Sequence, residues 1–420
     1  MLIFYNLLHI VLLILFFPLL CLYIALQEKY RKNIPRRLGF GLRKKLSRLK
    51  SRERVIWIHA LSVGEVTSAL PLVSGLRKEL DDTTLIFSAS TRTGYELSKK
   101  MLSPYCDRII AFPLDILPVC SYYINRISPD LFILVETDFW PNFLRQLEKR
   151  NIPALLVNGR ISRRSMKRYQ RYSFFFLPMF QSLRFLAVQT EADSQRFIDF
   201  GIDKNRVCKL GNLKFESLPP QHMDIAAGFL RNNRKPLFIA GSTHPGEEAL
   251  LLEAFLVLRK THDFKIIIAP RDIQRAEEIA LLAKSTGIDP QLRSKEQEFT
   301  TDLFILDTIG ELVSFYNQGD ICFVGGSLVN AGGHNPLEPA AQGKPVIFGI
   351  YMEDFEEISE DLIACGGGFS VPDQEIFIAV LDTLLQDPDY RRQSGDAALR
   401  CVLKNRDVVK NHLEFIKEII

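Results

Sequence analysis

From Val55 onward, short continuous apolar runs alternate with longer amphipathic stretches. The first series reads VIWIH (55–59), TLIFS (84–88), RIIAF (108–112), LFILV (131–135), ALLV (154–157), FLAV (185–188) and VCKL (207–210). Helical patterns lie between most of them, which is the signature of parallel sheet with crossover helices. Strands covered on both faces are apolar throughout, as these runs are. A polar stretch containing Pro219 and Pro220 follows, and then a second series begins. It reads PLFIA (236–240), KIIIA (265–269), LFIL (303–306), ICFVGG (321–326), PVIF (345–348) and GFSV (368–371). The pattern predicts two similar α/β halves, over 55–215 and 236–420, joined by a linker at 216–235. Such halves bind ligands at the carboxyl ends of their strands, near the cleft between them. A chain of 420 residues with 47% hydrophobic and 24% charged residues can build two full cores.

The amino-terminal stretch has a different character. Leu2 to Leu26 holds no Asp, Glu, Lys or Arg, and about 20 apolar residues suffice to cross a bilayer as a helix. No positive charge precedes the run and no small-residue cleavage site ends it, which argues against a cleaved signal peptide. Lys29, Arg31, Lys32, Arg36, Arg37, Arg43, Lys44, Lys45, Arg48, Lys50, Arg52 and Arg54 follow at once. The expectation is a membrane anchor at 1–27 and a basic juxtamembrane segment at 28–54 lying on anionic headgroups. The remainder would face the cytoplasm. Nucleic acid is the other partner that basic clusters suit, and the position behind the apolar run speaks for membrane. The seven cysteines form no C-x-x-C pair and are expected as buried thiols in a reducing compartment.

Chemistry-bearing residues gather where the runs end. HALSVGE (59–65) puts Glu65 at a helix start after the first run, as a general base or a plain capping glutamate. VETDFWPN (135–142) brings Glu136 and Asp138 to the end of the fourth. GSTHPGEE (241–248) offers Ser242, Thr243 and His244 in a turn before a helix, suited to an anion or merely structural. IIIAPR places Arg271 at a run end, for phosphate or for an internal ion pair. The most specific segment is FVGGSLVNAGGHNPLE (323–338), a strand running through Gly325, Gly326, Ser327, Gly332 and Gly333 into Asn335 and Pro336. Glu338 beyond it suits ribose hydroxyls. There is no dinucleotide fingerprint, Walker loop, D-x-D pair or His/Cys cluster, so neither metal nor cofactor is expected.

Together with VNGRISRRS (157–165), GNLKFE (211–216) and GEL (310–312), these segments resemble the 3-deoxy-D-manno-octulosonate (Kdo) transferases from end to end. The resemblance implies a glycosyltransferase B fold, with two Rossmann-like domains. It implies transfer of Kdo from CMP-Kdo to a lipid A precursor at the cytoplasmic face of the bacterial inner membrane, without a metal. Glu65 would accept the proton of the acceptor hydroxyl, and Glu136 and Lys214 would support the transition state. Pro270, Arg271, Gly310, Glu311, Leu312, Asn335, Pro336, Leu337 and Glu338 would bind CMP. Candidate donor contacts are Ser242, Thr243, His244, Gly325, Gly326 and Ser327. The family pattern continues with His after the Pro-Arg pair, where this chain has Asp272. The cluster Arg160–Arg171, followed by Phe174, Phe175, Phe176, Leu177 and Phe180, suits a headgroup-plus-acyl contact or, equally, a solvated face on a buried helix. Alternative readings are a transferase using a UDP or ADP donor, a two-domain nucleotide-sugar epimerase, and a non-catalytic lipid- or nucleotide-binding protein.

Overall fold

The computed structural model describes residues 5–7, 11, 14–16, 26–47, 54–136, 138, 140–216, 235–296 and 298–420. The chain divides into two units, Met1–Ser217 with Asp407–Ile420, and Leu218–Arg406. The 407–420 segment, expected with the second domain, thus belongs to the first. The residues expected as the linker lie almost wholly outside the described ones.

The first unit is built on seven strands: β1 (Arg54–Ala60), β2 (Thr83–Ala89), β3 (Arg108–Ala111), β4 (Leu131–Val135), β5 (Ala154–Gly159), β6 (Phe185–Val188) and β7 (Val207–Lys209). Their order is β3-β2-β1-β4-β5-β6-β7, and every pairing is parallel. The two-residue period of a strand sends alternate side chains to opposite faces. Trp57 therefore packs with Phe112, Phe132 and Phe143 on one face. Its neighbours Ile56 and Ile58 pack with Val66 and Leu72 on the other.

That second face is closed by the helix Val408–Ile419, whose Val409, Leu413 and Ile416 join the same core. Gly75 makes the approach possible: a Cβ there would stand 2.8 Å from Cδ1 of Leu413. Burying three such side chains contributes on the order of 6 kcal/mol. The carboxylate of Glu216 also accepts Val409 N at 2.9 Å. The final helix is amphipathic in sequence, but nothing local says which sheet it will cover.

The second unit contains β8 (Leu237–Thr243), β9 (Lys265–Pro270), β10 (Pro290–Leu292), β11 (Leu303–Ile305), β12 (Ile321–Val324), β13 (Val346–Phe348) and β14 (Gly368–Ser370). Their order is β10-β11-β9-β8-β12-β13-β14, again parallel throughout. β10 was not anticipated. It is three residues long, and its proline is tolerated because it is an edge strand.

In each unit the strand order reverses once, between β1 and β4 and between β8 and β12. At such switch points the flanking loops diverge to opposite faces and leave a crevice at the strands' carboxyl ends.

The expected anchor at 1–27 lies mostly outside the described residues, and no helix among those described is long and apolar enough to cross a membrane. Part of the basic segment expected on headgroups packs on the first unit, with Arg31, Arg36, Arg43, Lys44 and Lys45 exposed. Its helices Glu28–Arg37 and Leu42–Leu46 pack on the domain, with Leu42 buried. The cysteines also depart from expectation: Cys120, Cys322 and Cys401 are buried, but Cys365 is exposed.

Candidate functional site

Glu65 and Glu136 flank the β1/β4 switch point. Glu65 lies in the first turn of the helix Val63–Glu79. Its carboxylate accepts the N–H of Leu61 and the hydroxyl of Ser62, the latter at 3.4 Å. Glu65 thus bonds the main chain just ahead of its own helix, whose N-cap Ser62 makes no side-chain cap, and its environment is not that of an ordinary capping residue. Burial first, and then the charge of Glu136, push the Glu65 carboxyl from 4.5 up to about 7, against the pull of the Leu61 N–H. A carboxyl that titrates there is half ionised near neutral pH and can accept a proton in the transition state.

Glu136 follows β4 with a left-handed backbone, φ 60°, which is rare for a non-glycine residue. Its N–H is fixed to Val157 O at 2.9 Å, and its side chain receives Asn158 Nδ2 at 3.3 Å. Asn158 is itself fully buried with φ 56°. Its Oδ1 accepts Leu213 N at 2.9 Å, and its carbonyl accepts Gln189 Nε2 at 3.0 Å. Gln189 Oε1 in turn accepts Asn212 Nδ2 at 2.9 Å, and Asn212 Oδ1 accepts Lys214 N at 3.0 Å. Three buried amides thus tie Glu136 to Lys214. Asn158 and Asn212 stand inside sequence motifs, but their role is not legible there, because uncharged side chains carry no charge pattern to read.

Around these acids the first unit presents aromatic and basic groups. Trp140 Nε1 donates to Asp138 Oδ2 at 2.7 Å. The Arg37 guanidinium lies 5.6 Å from the centroid of Trp140 and donates to Phe112 O at 3.1 Å and Pro113 O at 3.4 Å. Burial holds it below the usual arginine range. His59, buried and stacked on Phe112 at 3.7 Å, must donate Nδ1–H to Ser88 O at 3.0 Å, since a carbonyl can only accept. Burial pushes it down to about 3, so its 3.9 Å approach to Asp138 is not an ion pair.

The helix Arg163–Arg171 is capped by the Ser162 hydroxyl, which accepts Ser165 N at 3.1 Å. Arg164, Lys167, Arg168 and Arg171 are exposed, as is Phe174, whereas Phe180 is fully buried and Phe175, Phe176 and Leu177 pack against the core. The segment is thus two helices, a basic one at Arg163–Arg171 and an apolar one at Ser173–Ser182 that packs into the core, with Phe174 exposed beside the basic edge.

In the second unit, the turn after β8 and the glycine loop after β12 meet at the β8/β12 switch point. Gly325 allows it: a Cβ there would stand 2.4 Å from Ser242 O and 2.6 Å from Thr243 Cα. His244 and His334 touch through their Nε2 atoms at 2.8 Å, so one ring must donate to the other. Burial, Arg271 and His244 together hold His334 down at about 4. The Thr243 hydroxyl is buried, with no hydrogen-bond partner among the described residues.

Arg271 is exposed just past the end of β9, where Pro270 is buried, and its N–H bonds Thr243 O at 3.0 Å. Asn335 Oδ1 caps the short helix Leu337–Ala341 through Leu337 N at 3.1 Å. Pro336 sits at the N-cap and Leu337 is fully buried. Burial raises the Glu338 carboxyl, against opposing pulls from Asn335 and Arg271. Gly310 has φ 91° and leads to Glu311 and Leu312, both partly exposed. The Glu311 carboxylate is engaged by Arg293 at 3.2 Å and by Thr308.

Two expected donor contacts are committed to the fold instead. The fully buried Ser327 donates its hydroxyl to Val324 O at 2.5 Å and accepts Gly349 N at 2.8 Å. The N–H groups of Gly326 and Ser327 are both taken by the carboxylate of Glu247.

Solved structures sharing this architecture include a UDP-GlcNAc 2-epimerase from Neisseria meningitidis (TM-score 0.61, 15% identity, covering 87% of this chain and 99% of that one). A glycosyltransferase from Rickettsia africae matches at TM-score 0.54 and 15% identity, over 88% of this chain and 99% of that one. At such identities they establish the fold, two Rossmann-like α/β domains, and nothing about reaction. Sequence relatives are more specific. Residues 32–217 match the family model for 3-deoxy-D-manno-octulosonic-acid transferase (kdotransferase). A bifunctional glycosyltransferase/methyltransferase of Fusobacterium nucleatum is 32% identical over 99% of this chain, which spans 65% of that protein's length. The 3-deoxy-D-manno-octulosonic acid transferase of Haemophilus influenzae is 31% identical over 95% of both chains. That of Chlamydophila psittaci is 30% identical over 86% of this chain and 84% of its own. With near-complete coverage added to the motifs at both switch points, the chain belongs to the 3-deoxy-D-manno-octulosonic acid transferase family of glycosyltransferases.

Proposed function

We propose that the chain transfers Kdo from CMP-Kdo to an anionic, acylated disaccharide of the lipid A precursor class, in lipopolysaccharide synthesis, by a single inverting displacement without a metal. Glu65 takes the proton from the acceptor hydroxyl. The freed oxygen forms the new bond to the anomeric carbon as the bond to CMP breaks, and the phosphate carries the electron pair away. Both the sugar carboxylate and the leaving phosphate are anionic. Lys214 and Arg271 are the cations offered to them, which is where such reactions gain most of their stabilisation. Pro270, Arg271, the Gly310–Leu312 turn and Asn335–Glu338 hold CMP, with His244 and His334 on the donor side.

The observation that carries this reading is Glu65, a half-buried carboxyl at a switch point with its proton affinity raised to about 7, in a chain of this family. The exposed edge of Arg164, Lys167, Arg168, Arg171 and Phe174 suits an anionic bilayer surface, and supports catalysis at the inner face of the bacterial inner membrane. The test is mass spectrometry of the lipid product after incubation with CMP-Kdo. Glu65→Ala should lose turnover by ~10²–10⁴-fold and still bind CMP. Turnover near wild type in that variant refutes the assignment of the base, and absence of any Kdo adduct with the wild type refutes the reaction.

A further inference from the structure

Glu247 opens the helix Glu247–Leu258 and is fully buried. A carboxylate taken out of water needs either a cation or a full set of donors. Here the donors are all main-chain. Oε2 accepts His244 N at 2.9 Å and Gly326 N at 2.8 Å. Oε1 accepts Ser327 N at 3.0 Å and Leu328 N at 2.9 Å. One donor comes from the turn after β8 and three from the loop after β12, so a single side chain staples the two loops that flank the switch point. Such an arrangement of converging amides is a usual cradle for phosphate. In this chain the cradle is filled from within.

We infer that Glu247 is a positioning residue for the donor side, an internal anion that locks the β8 turn to the β12 glycine loop and withdraws three loop amides from any ligand. The inference rests on the reading that the second unit takes the nucleotide sugar, and adds to it how that site is held and which groups it does not use. By fixing His244 N and Gly326 N to one oxygen, Glu247 sets the frame in which His244 meets His334. The donor's charges must then be met by side chains such as Arg271, and not by the Gly326–Leu328 amides.

Two measurements test this. In the free wild-type protein, hydrogen exchange at Gly326, Ser327 and Leu328 should be slow, and saturating CMP should leave it unchanged. Fast exchange that slows on adding CMP would show the amides to be open ligand donors, and overturns the inference. Glu247→Gln keeps the shape but turns one acceptor into a donor facing an N–H. It should raise KM for CMP-Kdo by about tenfold or more, and weaken CMP binding in calorimetry to match, as expected for a lost charged hydrogen bond. KM for the lipid acceptor should not move.

Leu381→Ala, a buried leucine of the helix Gln374–Gln386, serves as a purely structural control. It should lower the melting temperature and leave the donor KM alone. An unchanged donor KM in Glu247→Gln, while the wild type binds CMP, overturns the inference alone. A wild type that neither binds CMP nor transfers Kdo overturns the donor reading as well. Should Glu247→Gln fail to fold, the exchange experiment on the wild type decides.

Discussion

Raising the pH from 6 to 8 should increase kcat/KM by roughly tenfold, and the increase should disappear in Glu65→Gln. The magnitude follows from the surroundings of Glu65. Burial and the neighbouring Glu136 lift the Glu65 carboxyl from 4.5 to about 7. With that affinity, about one tenth of the enzyme carries the ionised base at pH 6 and about nine tenths at pH 8. A glutamate titrating at its ordinary value would be ionised at both, and the profile would be flat. The assay is the initial rate of CMP release at limiting donor, from pH 5.5 to 8.5 at constant ionic strength. A flat wild-type profile would refute the claim that Glu65 is the titrating base. So would a rising limb near 7 that survives unchanged in Glu65→Gln.

The same displacement has a cost in stability. Between about pH 4.5 and 7 the unfolded chain has released the Glu65 proton while the folded chain keeps it, so folding stability falls as pH rises through that window. Glu65→Gln should therefore be more stable than wild type at pH 8 by about 2–3 kcal/mol and nearly equal to it at pH 5, as read by denaturant melts. Asn158→Ala removes the acceptor of Leu213 N and the donor to Glu136. It should cost about 2–3 kcal/mol, and lower kcat beyond what the stability loss explains, in kinetics run well below the melting temperature. Arg164→Glu with Lys167→Glu, both exposed, should weaken binding to anionic vesicles by roughly tenfold or more and leave binding to neutral vesicles unchanged; equal binding to both would return this edge to a plain solvated face.

Much of the architecture was readable because burial on two faces forces continuous apolar runs. Each such run became a strand, from Val55–His59 to Gly368–Val371, and the sites fall at the ends of those runs. The failures have specific causes. Pro290–Leu292 makes an edge strand too short to leave a pattern. Among the basic residues before β1, Arg37 reads like its exposed neighbours but spends its donors on two main-chain carbonyls. Charge alone does not distinguish a solvated arginine from one satisfied by peptide groups. The roles of Asn158 and Glu247 depend on where non-local loops converge, and on a positive φ at Glu136 and Asn158 that no residue type announces. Ser327 and the Gly326 amide looked like ligand donors for the complementary reason: a glycine loop reads the same whether its amides face a substrate or an internal carboxylate.

The helix Val408–Ile419 imposes an order of events on the chain's own synthesis. Strands β1 to β7 emerge from the ribosome first with the helix Val63–Glu79 over Ile56 and Ile58, yet the cover of that face is not complete until Ile416 has been made. The intervening 189 residues, Leu218–Arg406, can complete their own core meanwhile. The earlier-born half thus matures last, and a nascent chain stalled anywhere before Val408 would leave the apolar surface that Val409, Leu413 and Ile416 cover, around Gly75, open to whatever chaperone or bilayer lies nearest.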